Sequence, residues 1–330
     1  MKVLSVSNIG INSITKDFKY NSKPFVTNGN LGDSVSFTGK NQYLTAEKLT
    51  LENFKIIANE KIKSINPENK YNIISEFTEV LDKFMQGKWD TKLQKGKLDI
   101  TVKSLNKILG KRGQGNIVIA QTDSTPGDVE VNALKAMKYI KIAEKIGVDA
   151  VIFPELSLMG YPIQDVIDRH PIVVEENIEW LKEIAKQTRK TRVIVGFVEP
   201  KPSRVEGKGY YNSVAVLGDG KILGITRKSL LPNYGEFNDK RYMEESPVSG
   251  NQPAETLCNF GYDNISDSSK LIDILGHKYG VVICEDGWNN KHFFKNNILY
   301  KNDPVEELAK ENPDAIINFS ASPSRAGKDL

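Results

Sequence analysis

From Asn116 onward, short and almost wholly apolar runs alternate with longer stretches whose apolar residues recur every three or four positions. Unbroken apolar runs of four or five residues suit strands buried on both faces. Helical stretches between them suit the covering layers, so the pattern is that of an α/β protein. It predicts strands over 117–120, 150–153 and 193–197, with helices over about 129–146 and 174–189. Leu134, Met137, Ile140 and Ala143 are expected on one face of the first helix, with Gly147 placed to end it. In the second, Ile178, Leu181 and Ala185 point inward, and Lys186, Arg189 and Lys190 gather where the helix dipole favours cations. Two alternating runs, 213–217 and 221–225, flank Gly218-Asp-Gly220, a strong hairpin signal. Later strands are expected over 271–275, 279–284 and 315–318.

Before Asn116 the pattern is weaker. Residues 1–42 are rich in Asn, Ser, Thr, Gly and Lys without a period and read as loop or disordered tail. Helical spacing follows at Leu51, Phe54, Ala58, Ile62 and Ile65, then at Ile73, Phe77, Val80 and Phe84, and at Val102, Leu105 and Leu109. Residues 111–115 read as a linker. Charge divides the chain at the same place: residues 1–114 hold 19 Lys and Arg against 11 Asp and Glu, while the rest holds 26 against 31. Two units are therefore expected, a basic extension over 1–114 and an α/β domain over 115–330. The lysines of the extension are spread, with no aromatic platform among them, so a solvated face is expected rather than a nucleic-acid surface.

The chain of 330 residues is 39% hydrophobic and 26% charged, which excludes fibrous and wholly disordered classes. No apolar run approaches the roughly 18 residues of a membrane span, and polar residues break the N-terminal apolar run before it reaches secretory-signal length, so no membrane contact and a cytoplasmic address are expected. Cys258 and Cys284 are too few for a disulfide framework and lack metal spacing. His170, His277 and His292 have no partners at metal spacing either and read as structural or surface residues; no metal site is expected.

Three reactive side chains directly follow predicted strands: Glu155 after Val151-Ile-Phe-Pro, Lys228 after the hairpin, and Cys284 at the end of Val281-Val-Ile. Ligands of α/β sheets collect at the carboxyl ends of strands, so a carboxylate, an amine and a thiol can converge there. Thiol-based acyl transfer needs such a set, because a thiol near its free pKa is only slightly ionised at neutral pH and requires a base and a positive neighbour. Singly, each has a bland reading: a buried small hydrophobe, a helix-start carboxylate, an exposed cation.

The three local contexts are Phe153-Pro-Glu-Leu-Ser-Leu-Met-Gly-Tyr-Pro162, Arg227-Lys-Ser-Leu-Leu-Pro-Asn-Tyr-Gly-Glu-Phe237 and Ile283-Cys-Glu-Asp-Gly-Trp288. In wording and order they resemble the nitrilase or carbon–nitrogen hydrolase superfamily. Gly160-Tyr-Pro, Asp239-Lys-Arg-Tyr242, Ile317-Asn-Phe-Ser-Ala-Ser-Pro323 and Gly327-Lys328 further resemble the amino-terminal glutaminase domain of glutamine-dependent NAD synthetases. The resemblance covers about residues 115–330.

It implies a nitrilase-like α-β-β-α sandwich, incomplete at its C-terminus, behind a mainly helical or partly disordered N-terminal extension. It also implies Glu155 as general base, Lys228 as stabiliser of the tetrahedral intermediate and Cys284 as nucleophile, with the backbone N–H of Glu285 at the oxyanion. Tyr234, Glu236, Ser322 and Lys328 match positions around substrate. The implied reaction is hydrolysis of the glutamine side-chain amide through a cysteine thioester, without a cofactor. The partner would be an NAD synthetase domain or subunit using ATP and Mg, in a homo-oligomer. That domain's Ser-Gly-Gly-x-Asp-Ser loop is absent from these residues, so a truncated glutaminase half is expected. A stand-alone amidase acting on another small amide, or a non-catalytic remnant, are the rival readings.

Overall fold

The computed structural model describes residues 112–113, 115–201, 207–235, 237–246, 270–289 and 299–322, together with backbone strands at 3–7, 41–43 and 54–59. In chain order the elements are β1 (Val3–Ser7), β2 (Asn41–Tyr43), β3 (Phe54–Asn59), β4 (Ile117–Ala120), α1 (Val129–Ile146), β5 (Ala150–Ile152), α2 (Val166–Arg169) and α3 (Ile172–Gln187). Then come β6 (Arg192–Pro200), β7 (Tyr210–Gly218), β8 (Lys221–Arg227), α4 (Asp239–Tyr242), β9 (Leu271–Ile274), β10 (His277–Ile283), a 3-10 turn (Cys284–Gly287), α5 (Pro304–Lys310) and β11 (Ala315–Ser320).

The strands form two sheets, one in the order β2-β3-β4-β5-β6-β7-β8 and the other β1-β11-β10-β9. Side-chain alternation explains how they stack. On β4, Ile117 and Ile119 join Ile152, Ile194, Val214 and Val216 in facing Tyr279, Val281, Ile283, Ile317 and Phe319 of the second sheet. Val118 and Ala120 point the other way, where α1 and α3 supply Ala133, Ile140, Ala143, Ile178, Leu181 and Ala185. Across the second sheet, Val282 and Ile316 pack on Leu308 of α5. The result is four layers, helix, sheet, sheet, helix, as the apolar runs and the resemblance imply.

Gly147 ends α1 as its place predicts. Asp128 accepts from Val131 N at the start of α1, and Gly147, at φ +82°, donates to Ala143 O at its end. The hairpin turn holds Asp219 at φ +52° and Gly220 at φ +78°, the left-handed pair that a tight hairpin between twisted strands demands.

Three expectations need correction. Leu134 is exposed while Met137, Ile140 and Ala143 are buried. At about 100° per residue, Leu134 and Ala143 lie on opposite sides of a helix, so repeated steps of three cannot mark one face. The helical spacing around Phe54 and Ala58 belongs to strand β3, antiparallel to β4. Phe54 and Ala58, four residues apart, satisfy a two-residue period as well as a helical one, and pairing beside β4 decides between them. Within 1–42, residues 3–7 form β1, parallel to β11. The remaining helical patterns of the extension, at 73–84 and 102–109, lie outside the described residues. The linker is pinned: Arg112 donates to Val148 O at 2.8 Å and pairs with Glu144, and Gly113 N donates to Asp149 Oδ1.

Candidate active site

Four strand ends meet at one place. Glu155 stands three residues beyond β5, Lys228 directly after β8, Cys284 directly after β10, and Ser320 ends β11. The Glu155 turn is held from below by Phe153, which is fully buried and packed edge-on against Tyr139 of α1. It also lies flat on β6. A Cβ at Gly196 would come within 2.3 Å of Leu156 N and 2.4 Å of Pro154 O, so only glycine lets the turn approach this closely.

Glu155 is buried and every oxygen is used. Oε1 accepts from Lys228 Nζ and from Asn212 Nδ2, each at 2.8 Å, and Oε2 accepts from Ala321 N at 2.8 Å. Lys228 Nζ also donates to Asp239 Oδ2 at 2.6 Å, and Asp239 Oδ1 accepts from Tyr161 OH at 2.9 Å. One buried ammonium is thus shared by two carboxylates.

Burial pushes the Glu155 carboxyl up, Lys228 pulls it down and Asp239 pushes it up again, leaving it above the ordinary carboxylate range. Burial alone would lower the Lys228 ammonium, but Asp239 and Glu155 overcome this and hold it well above its usual value. The Cys284 thiol is pushed up to about 12 by burial and by Glu155, against the pull of Lys228 and two serine hydroxyls. The resting thiol is therefore neutral.

The Cys284 turn is tied to the Lys228 segment by Asp286. Its Oδ1 accepts from Ser229 N and Leu230 N at 2.9 and 2.7 Å, and its Oδ2 from Ile283 N and Lys270 Nζ. Cys284 itself has φ +46°, the left-handed region that costs a non-glycine residue about 1 to 3 kcal/mol. A reactive residue held in such a turn by a fully buried carboxylate presents its side chain in a fixed direction. Beside it, the Glu285 carboxylate accepts from Tyr234 OH at 2.7 Å and from Tyr300 OH at 2.9 Å.

Glu155 and Lys228 therefore meet as the sequence suggests, and Cys284 joins them through the 320–322 segment. Tyr234, Glu285 and Ser322 line the same region, whereas Glu236, Lys328, Cys258 and His292 lie outside the described residues. His277 ring Nε2 lies 3.3 Å from Gly113 O, and His170 ends α2, both away from this cluster. Asp239, three residues past Glu236, follows no strand end of the kind that marks Glu155, Lys228 and Cys284. Its only signal is its place in the Asp239-Lys-Arg-Tyr242 wording. Asp286 and Ser320 likewise stand inside the 283–288 and 317–323 wording, whereas Asn212 and Tyr300 carry no local signal that marks them.

A family model described as Carbon-nitrogen hydrolase matches residues 116–297. The glutamine-dependent NAD(+) synthetase of Thermotoga maritima is 36% identical over 220 residues, covering 65% of this chain and 31% of the relative. That of Acinetobacter baylyi is 31% identical over 212 residues, covering 64% and 32%. Among solved structures, the glutamine-dependent NAD+ synthetase from Acinetobacter baumannii matches 64% of this chain and 33% of its own, at 29% identity and a TM-score of 0.49. An amidase from Nesterenkonia sp. matches 63% and 65%, at 15% identity and a TM-score of 0.46. The chain spans about a third of the length of the curated relatives it matches.

Proposed function

Because this chain belongs to the carbon–nitrogen hydrolase family, we propose that its site hydrolyses the side-chain amide of glutamine and supplies ammonia to an NAD-forming synthetase unit. The observation that carries the chemistry is the hydrogen-bonded union of base, cation and thiol: Lys228 on Glu155, Ala321 N on Glu155, and Ser320 on Cys284. In this reading Cys284 Sγ attacks the amide carbon as Glu155 takes the thiol proton. Lys228 and the backbone N–H of Glu285 donate to the developing oxyanion. The carbon–nitrogen bond breaks as Glu155 returns the proton to the leaving ammonia. Water, deprotonated by the same carboxylate, then cleaves the thioester. ATP and Mg belong to the synthetase step, and the amide hydrolysis takes no cofactor.

Glutamine rather than a simple amide is favoured by the buried Glu285 carboxylate beside the nucleophile. Held by Tyr234 and Tyr300, it is placed to receive the ammonium end of an amino acid. The test is ammonia release from L-glutamine compared with acetamide and with glutaramic acid, which lacks the amino group. Glutamine should be preferred, and Glu285→Gln should raise its KM about ten- to a hundredfold, the worth of a charged hydrogen bond, with kcat little changed. Equal turnover of acetamide and glutamine would instead identify a general amidase.

Asp239 gives a second check. In Asp239→Asn one of the two carboxylates that lift Lys228 is gone, while the burial that lowers it remains. The alkaline limb of kcat/KM is expected to move to lower pH by about one to two units, the effect of a single close charge. An unmoved limb would show that Lys228 does not depend on Asp239.

A further inference from the structure

Among the described residues, the hydrogen-bond partners of the Cys284 sulfur are two hydroxyls: Ser320 Oγ at 3.4 Å and Ser322 Oγ at 3.7 Å. The two hydroxyl oxygens are 2.9 Å apart. Residues two apart on an extended chain share a face, so β11 and the residues just beyond it present both hydroxyls to the sulfur. Ala321, between them, turns its N–H to Glu155 Oε2. A single three-residue segment therefore touches both nucleophile and base.

The two serines are not equivalent. Ser320 is buried, so its hydroxyl must be satisfied inside the protein, whereas Ser322 is half-buried at the margin of the site. We propose that Ser320 is a positioning residue for the nucleophile: its hydroxyl donates to Cys284 Sγ, aiming the sulfur and holding the negative charge as the thiol loses its proton. Ser322 is left to face substrate. A hydroxyl that donates to sulfur while accepting from a second hydroxyl is polarised by it, which strengthens the bond to a thiolate. Donation from these hydroxyls also opposes the burial that lifts the thiol. Among the described residues, the ionisable groups coupled to the sulfur are Glu155, Lys228 and Tyr234.

The inference rests on Cys284 being the nucleophile of the proposed hydrolysis, and its test reads the thiol directly. In a Cys258→Ala background, so that one thiol reports, the rate of iodoacetamide alkylation is followed between pH 7 and 10. Ser320→Ala should displace the curve to higher pH by about one unit, a tenfold slower reaction at fixed pH. In the same variant kcat for glutamine should fall about tenfold with KM unchanged. Ser320→Thr, which keeps the hydroxyl, should restore both, and Ser322→Ala should alter KM more than the alkylation curve. A Ser320→Ala curve superimposable on the parent's overturns the proposal, as does a larger displacement in Ser322→Ala. Failure of the parent to hydrolyse glutamine would sink the functional reading, with the alkylation curves still deciding the role of Ser320.

Discussion

Replacing Cys284 with alanine is expected to lower glutamine-dependent ammonia release by about four to six orders of magnitude, the scale seen when an acyl-transfer enzyme loses its nucleophile. Among the described residues no other group near the site is free to form the acyl intermediate: Glu155 is occupied by three donors, and the serine hydroxyls there serve the sulfur. The fold should survive, because the side chain is small and its turn is held through the backbone by Asp286. The Cys258→Ala variant should keep most of the activity. The measurement is ammonia release by both variants beside their melting temperatures. Comparable losses in the two would remove Cys284 from the role of nucleophile.

Lys228→Met should abolish activity and also weaken the fold, and the second effect has a pH signature. Lys228 is almost wholly buried and bonds to Glu155 and Asp239, both buried. Without the ammonium, two carboxylates face each other out of water, and an uncompensated buried charge of this kind costs about 3 to 5 kcal/mol. Glu155 already sits above the ordinary carboxylate range because of burial, and loss of Lys228 lifts it further. A group whose folded-state pKa exceeds its unfolded value stabilises fully below the unfolded value and loses that stability as pH rises through the folded one. The deficit of Lys228→Met against the parent should therefore be largest at neutral and alkaline pH and shrink on acidification toward about pH 4 to 5. Denaturant midpoints measured at pH 8 and pH 5 would show it. A deficit that is flat with pH, or deeper in acid, would mean that the cost is packing rather than charge.

These two variants separate what one side chain does chemically from what it does to the fold. Cys284 is dispensable for the architecture because its place is kept by Asp286 and by strand β10. Lys228 is not, because burial makes the two carboxylates it bridges intolerable without it.

Much of the fold is written in local patterns. The apolar runs at 117–120 and 150–152 are buried throughout, which is why they show no alternation. Asp128, Gly147 and the Asp219-Gly220 turn act through their own backbone preferences, which need no distant partner. Even α5 carried an unread signal, since Asp303 accepts from Val305 N and Glu306 N with Pro304 in the first turn. Glu155, Lys228 and Cys284 were legible because strand ends mark where chemistry collects, and because their surrounding words resemble a known family.

What the sequence could not decide is whatever depends on two segments meeting. The four-residue spacing of Phe54 and Ala58 fits helix and strand alike, and only pairing with β4 selects the strand. Asp239 is one acid among several after Lys228, and nothing in its neighbours tells that its carboxylate closes on the ammonium. Tyr300, 15 residues past Glu285, donates to that carboxylate while Asn289 Nδ2 holds its carbonyl, a meeting no local pattern announces. Ser320 stands 36 residues from Cys284, and the parallel pairing of β10 with β11 is what brings its hydroxyl to the sulfur. Sequence by itself determined the apolar strands and the two long helices from Ile117 onward and singled out three candidate residues, because those follow from short-range preference and wording. Tertiary structure alone decided how their charges and protons are shared, since hydrogen bonds of 2.6 to 3.4 Å depend on chain crossings that no local pattern encodes.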